Sequence, residues 1–260
     1  MADRLWDTDR EVADQFLRHY SGARGRVRTT LVHEQVTAFL PDRACRIADV
    51  GAGGGQQALR LARAGHRVTL VEPSPLMADR ARSAIASCDA AVRGRVTLVQ
   101  ADAEAAVSLL PGDFDAVLCH GVLMYLPDPA PVLTALARLC RPGGIVSVLT
   151  KNAGALAMRH GLQGDFAAAL ACFEARESVG WLGVPTRGDT VGGLTRLLAA
   201  RDVGVEDWFG VGVFSDHRRD LDALDEAGYR LLEQAELIAA RTDPYRAVAR
   251  LIHVVGRAAE

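Results

Sequence analysis

Lysine is almost missing from this sequence. Lys151 is the only one in 260 residues, and arginine carries nearly all the positive charge. Lys+Arg 30 against Asp+Glu 32 leaves a net charge of -2, so no global basic field draws the chain to nucleic acid or to an anionic membrane. Cysteine is sparse too. Cys45, Cys88, Cys119, Cys140 and Cys172 form no C-x-x-C pair, which argues against a zinc knuckle or a dithiol redox motif. No apolar run reaches 18 residues, and the start Met1-Ala2-Asp3-Arg4 lacks the apolar stretch of a signal peptide. The expectation is a soluble, cytoplasmic protein without membrane contact. No carboxylate pair or histidine cluster has metal-ligand spacing, so no metal is expected. What is abundant is apolar residue, 49% of the chain, which excludes a mostly disordered protein. The length suits one large α/β domain, or one domain with a modest insertion.

Two helical segments open the chain. Val12, Phe16 and Leu17 recur between Glu11 and His19, and Leu31, Val32, Val36, Phe39 and Leu40 between Arg28 and Leu40, before Pro41. Ser21 to Arg28, punctuated by Gly22 and Gly25, reads as a basic loop between them. A strand and helix alternation follows. Strands are expected at 46–50, 68–72, 96–100, 114–119 and 145–149, with helices at 56–64, 75–86 and 130–139 between them. Short apolar strands alternating with helices imply an α/β fold with a parallel sheet covered on both faces. From Ala153 to Gly193 the pattern turns helical and glycine-interrupted, with no evident strand. A helix at 194–200, a strand within 203–214, an amphipathic helix over 221–240 and a closing strand at 249–256 complete the reading. The organisation expected is an N-terminal helical cap at 1–44 and a main domain at 45–260, with a helical insertion at about 153–193.

Gly51-Ala52-Gly53-Gly54-Gly55 sits between the first strand and a helix. Glycines there permit positive φ and close approach of a ligand to the backbone, while free helix N–H groups face it. Glu72 ends the next strand about 20 residues on, where a carboxylate accepts from both hydroxyls of a ribose. The other reading of the loop is a tight turn with no ligand. A dinucleotide fingerprint needs a third glycine where Gln56 stands, and the observed G-x-G-x-G suits a nucleoside without a pyrophosphate. Beyond the third strand, Asp102 is placed either to accept from an adenine amine or to cap a helix, and small Ala103 leaves room for the ring.

These residues carry a family resemblance. Ile47 to Gly55, Val71-Glu72-Pro73-Ser74, Ala101-Asp102-Ala103 and Leu139 to Gly144 resemble the ordered motifs of class I S-adenosylmethionine-dependent methyltransferases. The resemblance implies a Rossmann-like seven-stranded sheet, mostly parallel with the last strand antiparallel, and S-adenosyl-L-methionine as cofactor. Short matches around Arg18 to Arg28, His120 to Leu123, Lys151 to Ala153, Gly164 to Phe166, Gly212 to Phe214 and Asp243 to Val254 are similar to the bacterial tRNA 5-carboxymethoxyuridine methyltransferases. That similarity implies cofactor contacts from Arg28, Gly51, Ala52, Glu72, Ala103, Glu104 and His120, with Gly53 and Asp102 in the same site. The sequence departs from those relatives in three places. The stretch Ala175 to Trp181 lacks their lysine-rich run, Met124-Tyr125 replaces an acidic residue and tryptophan, and Gly212 replaces an arginine.

The acceptor implied is an oxygen nucleophile, a carboxylate among the options, on a small metabolite or a modified tRNA base. A carboxylate is already ionised at neutral pH, with pKa about 4, whereas a hydroxyl needs a base. His120 ends the fourth strand at the carboxyl edge of the sheet. There it contacts the cofactor, acts as a base, or serves structure alone. Tyr125 either lines the same mouth as a catalytic-site residue or supports the following loop. Arg28 is suited to the cofactor carboxylate, or is simply solvated; Arg24 or Arg26 could hold an anionic substrate. His217 is assigned to a charged loop and His253 to structure. Two other functions remain open: an NAD(P)-dependent oxidoreductase, and a non-catalytic cofactor-binding regulatory protein.

Overall fold

The computed structural model of the chain describes residues 22–175 and 183–260, the backbone of 177–179, and Glu11, Asp14, Gln15, Arg18 and Tyr20. Val12, Phe16, Leu17, His19 and Ser21, and Arg176, Gly180 and Trp181 of the insertion, lie outside the described residues.

Runs such as Ile47-Ala48-Asp49-Val50 are buried at every position, so neither face is left in water and the strands pair side by side in parallel. Strands β1 (Arg46–Val50), β2 (Arg67–Val71), β3 (Val96–Val99), β4 (Phe114–His120) and β5 (Cys140–Lys151) follow one another along the chain. After them come β6 (Glu177–Val179), β7 (Pro185–Arg187), β8 (Val203–Val211) and β9 (Leu251–Ala258). The main sheet has seven strands in the order β3-β2-β1-β4-β5-β9-β8. β9 runs antiparallel to both of its neighbours, and the other strands run together. The expected sheet, with its last strand antiparallel, is present.

Successive residues of a strand point to opposite faces, and this divides the core in two. Ile47, Ala116, Leu118 and Ile145 pack with Leu31 and Val36 of α1 (Ala23–Thr37), Leu61 of α2 (Gln56–Arg63) and Ala81 of α3 (Pro75–Ala86). The turn α4 (Ala90–Arg93) adds Val92 to this face. Ala48, Val117, Cys119 and Val146 pack instead with Ala106 of α5 (Ala103–Leu109) and Leu136 of α6 (Ala130–Leu139). Truncating a fully buried leucine such as Leu31 or Leu136 to alanine costs about 2–5 kcal/mol.

Three expectations need correcting. The basic loop at 21–28 is helical from Ala23. The Ala23 N–H, one of the orphan donors of a helix start, donates to Asp222 Oδ1 at 3.2 Å. Gly25 is buried against the backbone of Tyr20, where a Cβ would collide, so its glycine serves packing rather than a turn. The insertion holds helices α7 (Leu156–Leu162) and α8 (Phe166–Glu174), but β6 and β7 then pair antiparallel where no strand was expected. β7 is tied to the end of β5: Asp189 N–H donates to the Lys151 carbonyl at 2.8 Å, and Ala153 N–H to the Asp189 carbonyl at 2.9 Å. Helix α9 (Val191–Ala199) then returns under the sheet. Finally, the predicted helix at 221–240 begins as a single 3-10 turn, Leu221–Ala223. The helix proper, α10 (Glu226–Ala239), starts where Asp225 caps Gly228 N–H at 2.8 Å.

Candidate active site

The chain leaves β1 for β2 and β3, then crosses back to β4 on the other side of β1. Ligands of open α/β sheets bind at such a reversal, beyond the carboxyl ends of the strands. Gly51 follows β1 and His120 ends β4, so both stand there.

Gly51 adopts φ 74 and packs so closely on Val122 that a Cβ would strike its methyl group; only glycine satisfies both demands. The loop is closed by the neighbouring strand. Gly51 N–H donates to the Val71 carbonyl at 2.8 Å, and Gly53 N–H to Glu72 Oε2 at 2.7 Å. The other oxygen, Oε1, accepts from Ser74 N–H at 2.9 Å. Glu72 is buried, and both of its oxygens are held at the loop by backbone donors.

A cavity of about 210 Å³ opens beside these groups. Gly51, Gly53 and Glu72 form one end, and Asp102, Ala103 and Glu104 line another wall. Pro73, Met77, Val122 and Leu126 supply apolar surface, and His120 and Tyr125 complete the lining. Asp102 caps α5 by accepting from Ala105 N–H at 2.8 Å while facing the cavity, so both roles foreseen for it are geometrically compatible. A recess of about 40 Å³ adjoins, lined by Arg28, Asp49, Ala52, Gln57 and His120 among others. The expected cofactor residues are therefore together, with Arg28 and Ala52 in the recess rather than the main cavity. Gln57 Nε2 and His120 Nδ1 are buried without a hydrogen-bond partner among the described residues. A site with an apolar slot, a tethered carboxylate and unpartnered polar atoms at its polar end fits a nucleoside bearing an amino-acid tail.

Burial pushes the Asp49 carboxyl up to about 7, with Arg28 opposing the rise and Glu72 adding to it. Sequence reasoning passed over Asp49, whose only signal was a carboxylate between the apolar residues Ala48 and Val50 of a strand. The His120 ring is held well below the usual imidazole range by burial, then by His253 and Arg28, so it is neutral near pH 7. Burial likewise raises the Tyr125 phenol above its ordinary range, and its hydroxyl keeps its proton. Arg28 stacks over the Tyr20 ring at 4.6 Å and donates to the His120 carbonyl at 3.4 Å.

Tyr125 and Arg28 also border a second chamber, of about 100 Å³, that is dominated by positive charge. Arg24, Arg28, Lys151, Arg159 and Arg250 line it, with Asp216 as the single carboxylate of its lining among the described residues. Asp216 lies 3.8 Å from both Arg159 and Arg250. Arg24 donates to the Ser215 and Arg218 carbonyls. Arg26 is elsewhere, stacked on Tyr229. The loop behind the chamber is shaped by buried Glu236, which accepts from Val213, Phe214 and Ser215 N–H groups at 2.9, 3.1 and 2.8 Å. Lys151 is 1% exposed and donates to Thr186 Oγ1 at 2.7 Å; the β5–β7 tie brings the two together. Burial, then Arg250, lowers its ammonium to about 8. Arg159 and Arg250 were not singled out from sequence, and Lys151 stood out there only as the single lysine and as part of a matched segment, with no role at the site. Among the described residues no group of three or more His, Cys, Asp or Glu side chains is placed to hold a metal, and no helix is long and apolar enough to cross a membrane.

Comparison with known proteins bears on this geometry. Residues 48–148 match a family described as a methyltransferase domain. A tRNA 5-carboxymethoxyuridine methyltransferase of Escherichia coli O157:H7 is 30% identical over 99% of this chain and 97% of its own length. A ubiquinone biosynthesis O-methyltransferase of Xanthomonas campestris is 35% identical over 58% of each chain. Among solved structures, the 1,6-didemethyltoxoflavin-N1-methyltransferase of Burkholderia thailandensis, with S-adenosylhomocysteine bound, superposes with a TM-score of 0.53 at 18% identity. It covers 95% of this chain and 87% of that one, a likeness of fold.

Proposed function

The chain belongs to the S-adenosylmethionine-dependent methyltransferases, and from that premise we propose that it methylates a carboxylate oxygen of an anionic acceptor seated in the cationic chamber. Membership sets aside the oxidoreductase and the non-catalytic readings. One observation carries the proposal: five cationic side chains converge on a chamber that shares Tyr125 with the nucleoside cavity.

When bound, S-adenosylmethionine supplies a sulfonium-borne methyl group open to in-line attack. The residues proposed to hold it are Glu72 for the ribose hydroxyls, Asp102, Ala103 and Glu104 along the base, Gly51, Ala52 and Gly53 under the linking atoms, and Arg28 for the carboxylate. In this reading Arg250, Arg159 and Lys151 fix the acceptor and offset the desolvation of its charge. A carboxylate arrives ionised, with pKa about 4, so no side chain has to remove a proton. Neutral His120 and protonated Tyr125 suit that requirement, since neither brings a second negative charge beside the acceptor. The chain's work is alignment and the exclusion of water.

The full-length relatives are named for a carboxylate-bearing tRNA base, which supports an RNA carrier; the net charge of -2 and the missing lysine run favour a small one. A single assay separates them. Purified protein, methyl-labelled cofactor and cell extract split into RNA and small molecules should yield label in one fraction, released as methanol by mild alkali. Label that resists alkali, as in an ether or a methylamine, would overturn the carboxylate reading.

A further inference from the structure

His120 is the cavity end of a hydrogen-bonded chain that crosses the sheet. Its Nε2 lies 2.8 Å from Ser147 Oγ on β5, and the same hydroxyl lies 2.6 Å from His253 Nε2 on β9. His253 Nδ1 lies 2.7 Å from Gln35 Oε1 on α1. Gln35, Ser147 and His253 are all buried. The two imidazoles meet edge to face with centroids 5.4 Å apart.

Donor and acceptor rules give this chain a direction. An amide oxygen only accepts, so His253 Nδ1 carries a proton. Burial keeps that ring neutral, with its imidazolium lowered to about 3. Its Nε2 is then a lone pair, and it accepts from the Ser147 hydroxyl. The serine oxygen in turn accepts from His120 Nε2–H. A neutral His120 protonated at Nε2 has a bare Nδ1, and that atom is the buried one without a partner among the described residues. A buried acceptor left unmet is destabilising, and a ligand supplying a donor relieves that cost.

We propose that Gln35, Ser147 and His253 are positioning residues that lock His120 in its Nε2–H tautomer, so that Nδ1 presents a lone pair to an N–H or O–H donor of the bound ligand. The identity of that ligand rests on the cofactor reading above; the tautomer does not. The arrangement selects by polarity. A ligand that places an acceptor atom at this spot sets two lone pairs against each other, while an ammonium or hydroxyl is received.

The test is a long-range proton–nitrogen correlation spectrum of the full chain with labelled histidine, first without ligand. His120 Nε2 should be protonated and Nδ1 bare. The opposite tautomer, which follows if Gln35 turns its amide nitrogen toward His253, would overturn the proposal. Ser147→Ala should give a mixture of His120 tautomers and weaken S-adenosylhomocysteine about tenfold, the worth of one hydrogen bond. A single unchanged tautomer in that variant also refutes it. Gln35→Leu removes the acceptor that holds the proton on His253 Nδ1 and should likewise leave His120 in a mixture of tautomers, so the chain is testable even if Ser147→Ala folds poorly. Added S-adenosylhomocysteine should shift the Nδ1 resonance. If it binds by calorimetry without moving that resonance, the donor half of the proposal fails; if it does not bind at all, the cofactor reading fails instead.

Discussion

The lining of the nucleoside cavity comes from one stretch of chain, Val50 to Val132, and mostly from strand ends and the loops that follow them. The cations of the neighbouring chamber come from three distant places: Arg24 and Arg28 on α1, Lys151 at the end of β5 with Arg159 on α7, and Arg250 before β9. The first compartment is specified by backbone shape, through Gly51 and the N–H groups that grip Glu72. The second is specified by charge assembled from side chains that only the finished fold brings together. A backbone cradle fixes what kind of molecule enters, whereas in the proposed reading assembled charge sets which acceptor meets it.

Substitutions that touch one compartment alone would sharpen this contrast, and those that disturb both would break it. The largest effect is expected from Glu72→Ala. It removes a charged acceptor and leaves the Gly53 and Ser74 N–H groups unpaired, so affinity for S-adenosylhomocysteine should fall roughly 100-fold by calorimetry, about 3 kcal/mol. Arg250→Gln should act on the other side only. The acceptor KM should rise ~30-fold, about 2 kcal/mol for a charged hydrogen bond, with cofactor affinity unchanged. Equal losses of cofactor and acceptor in either variant would show that the compartments are not separable.

A smaller effect is expected from pH. Lys151 releases its proton near pH 8 in the folded chain, against 10.5 ordinarily. Acceptor affinity should therefore decline about fivefold as pH passes 8, in steady-state measurements from pH 7 to 9.5. Stability moves the other way. Between about 8 and 10.5 the unfolded chain retains a proton that the folded chain has lost, so the Lys151 contribution should raise the melting temperature with pH across that window. The smallest effect is expected from Asp102→Asn. Asparagine caps a helix as well as aspartate, so the melting temperature should hold. Cofactor affinity should drop about threefold through loss of the charged acceptor. No change in affinity would make Asp102 a cap and nothing more.

The same contrast explains what could be read without coordinates. Gly51, Glu72, Asp102 and His120 each end or follow a strand whose apolar run is plain, so locating the strands located the cavity. Gly25 misled because a glycine chosen for close packing looks, in sequence, like one chosen for a turn. β6 and β7 are three residues each and too short to show a period, and what anchors β7 is the distant pairing of Asp189 with Lys151 and Ala153. Arg159 and Arg250 are two among many arginines, and nothing local marks them; their meaning depends on Asp216 standing between them.

Helix α1 sends Arg28 to the cationic chamber and to the recess beside the nucleoside cavity, and Gln35 to His253 on β9. A descendant of this protein that takes up a new acceptor is thus free to redraft the arm after β5 and the bend near Asp216, but not that opening helix. Its arginine and its glutamine each answer to the half of the machine that has to stay the same.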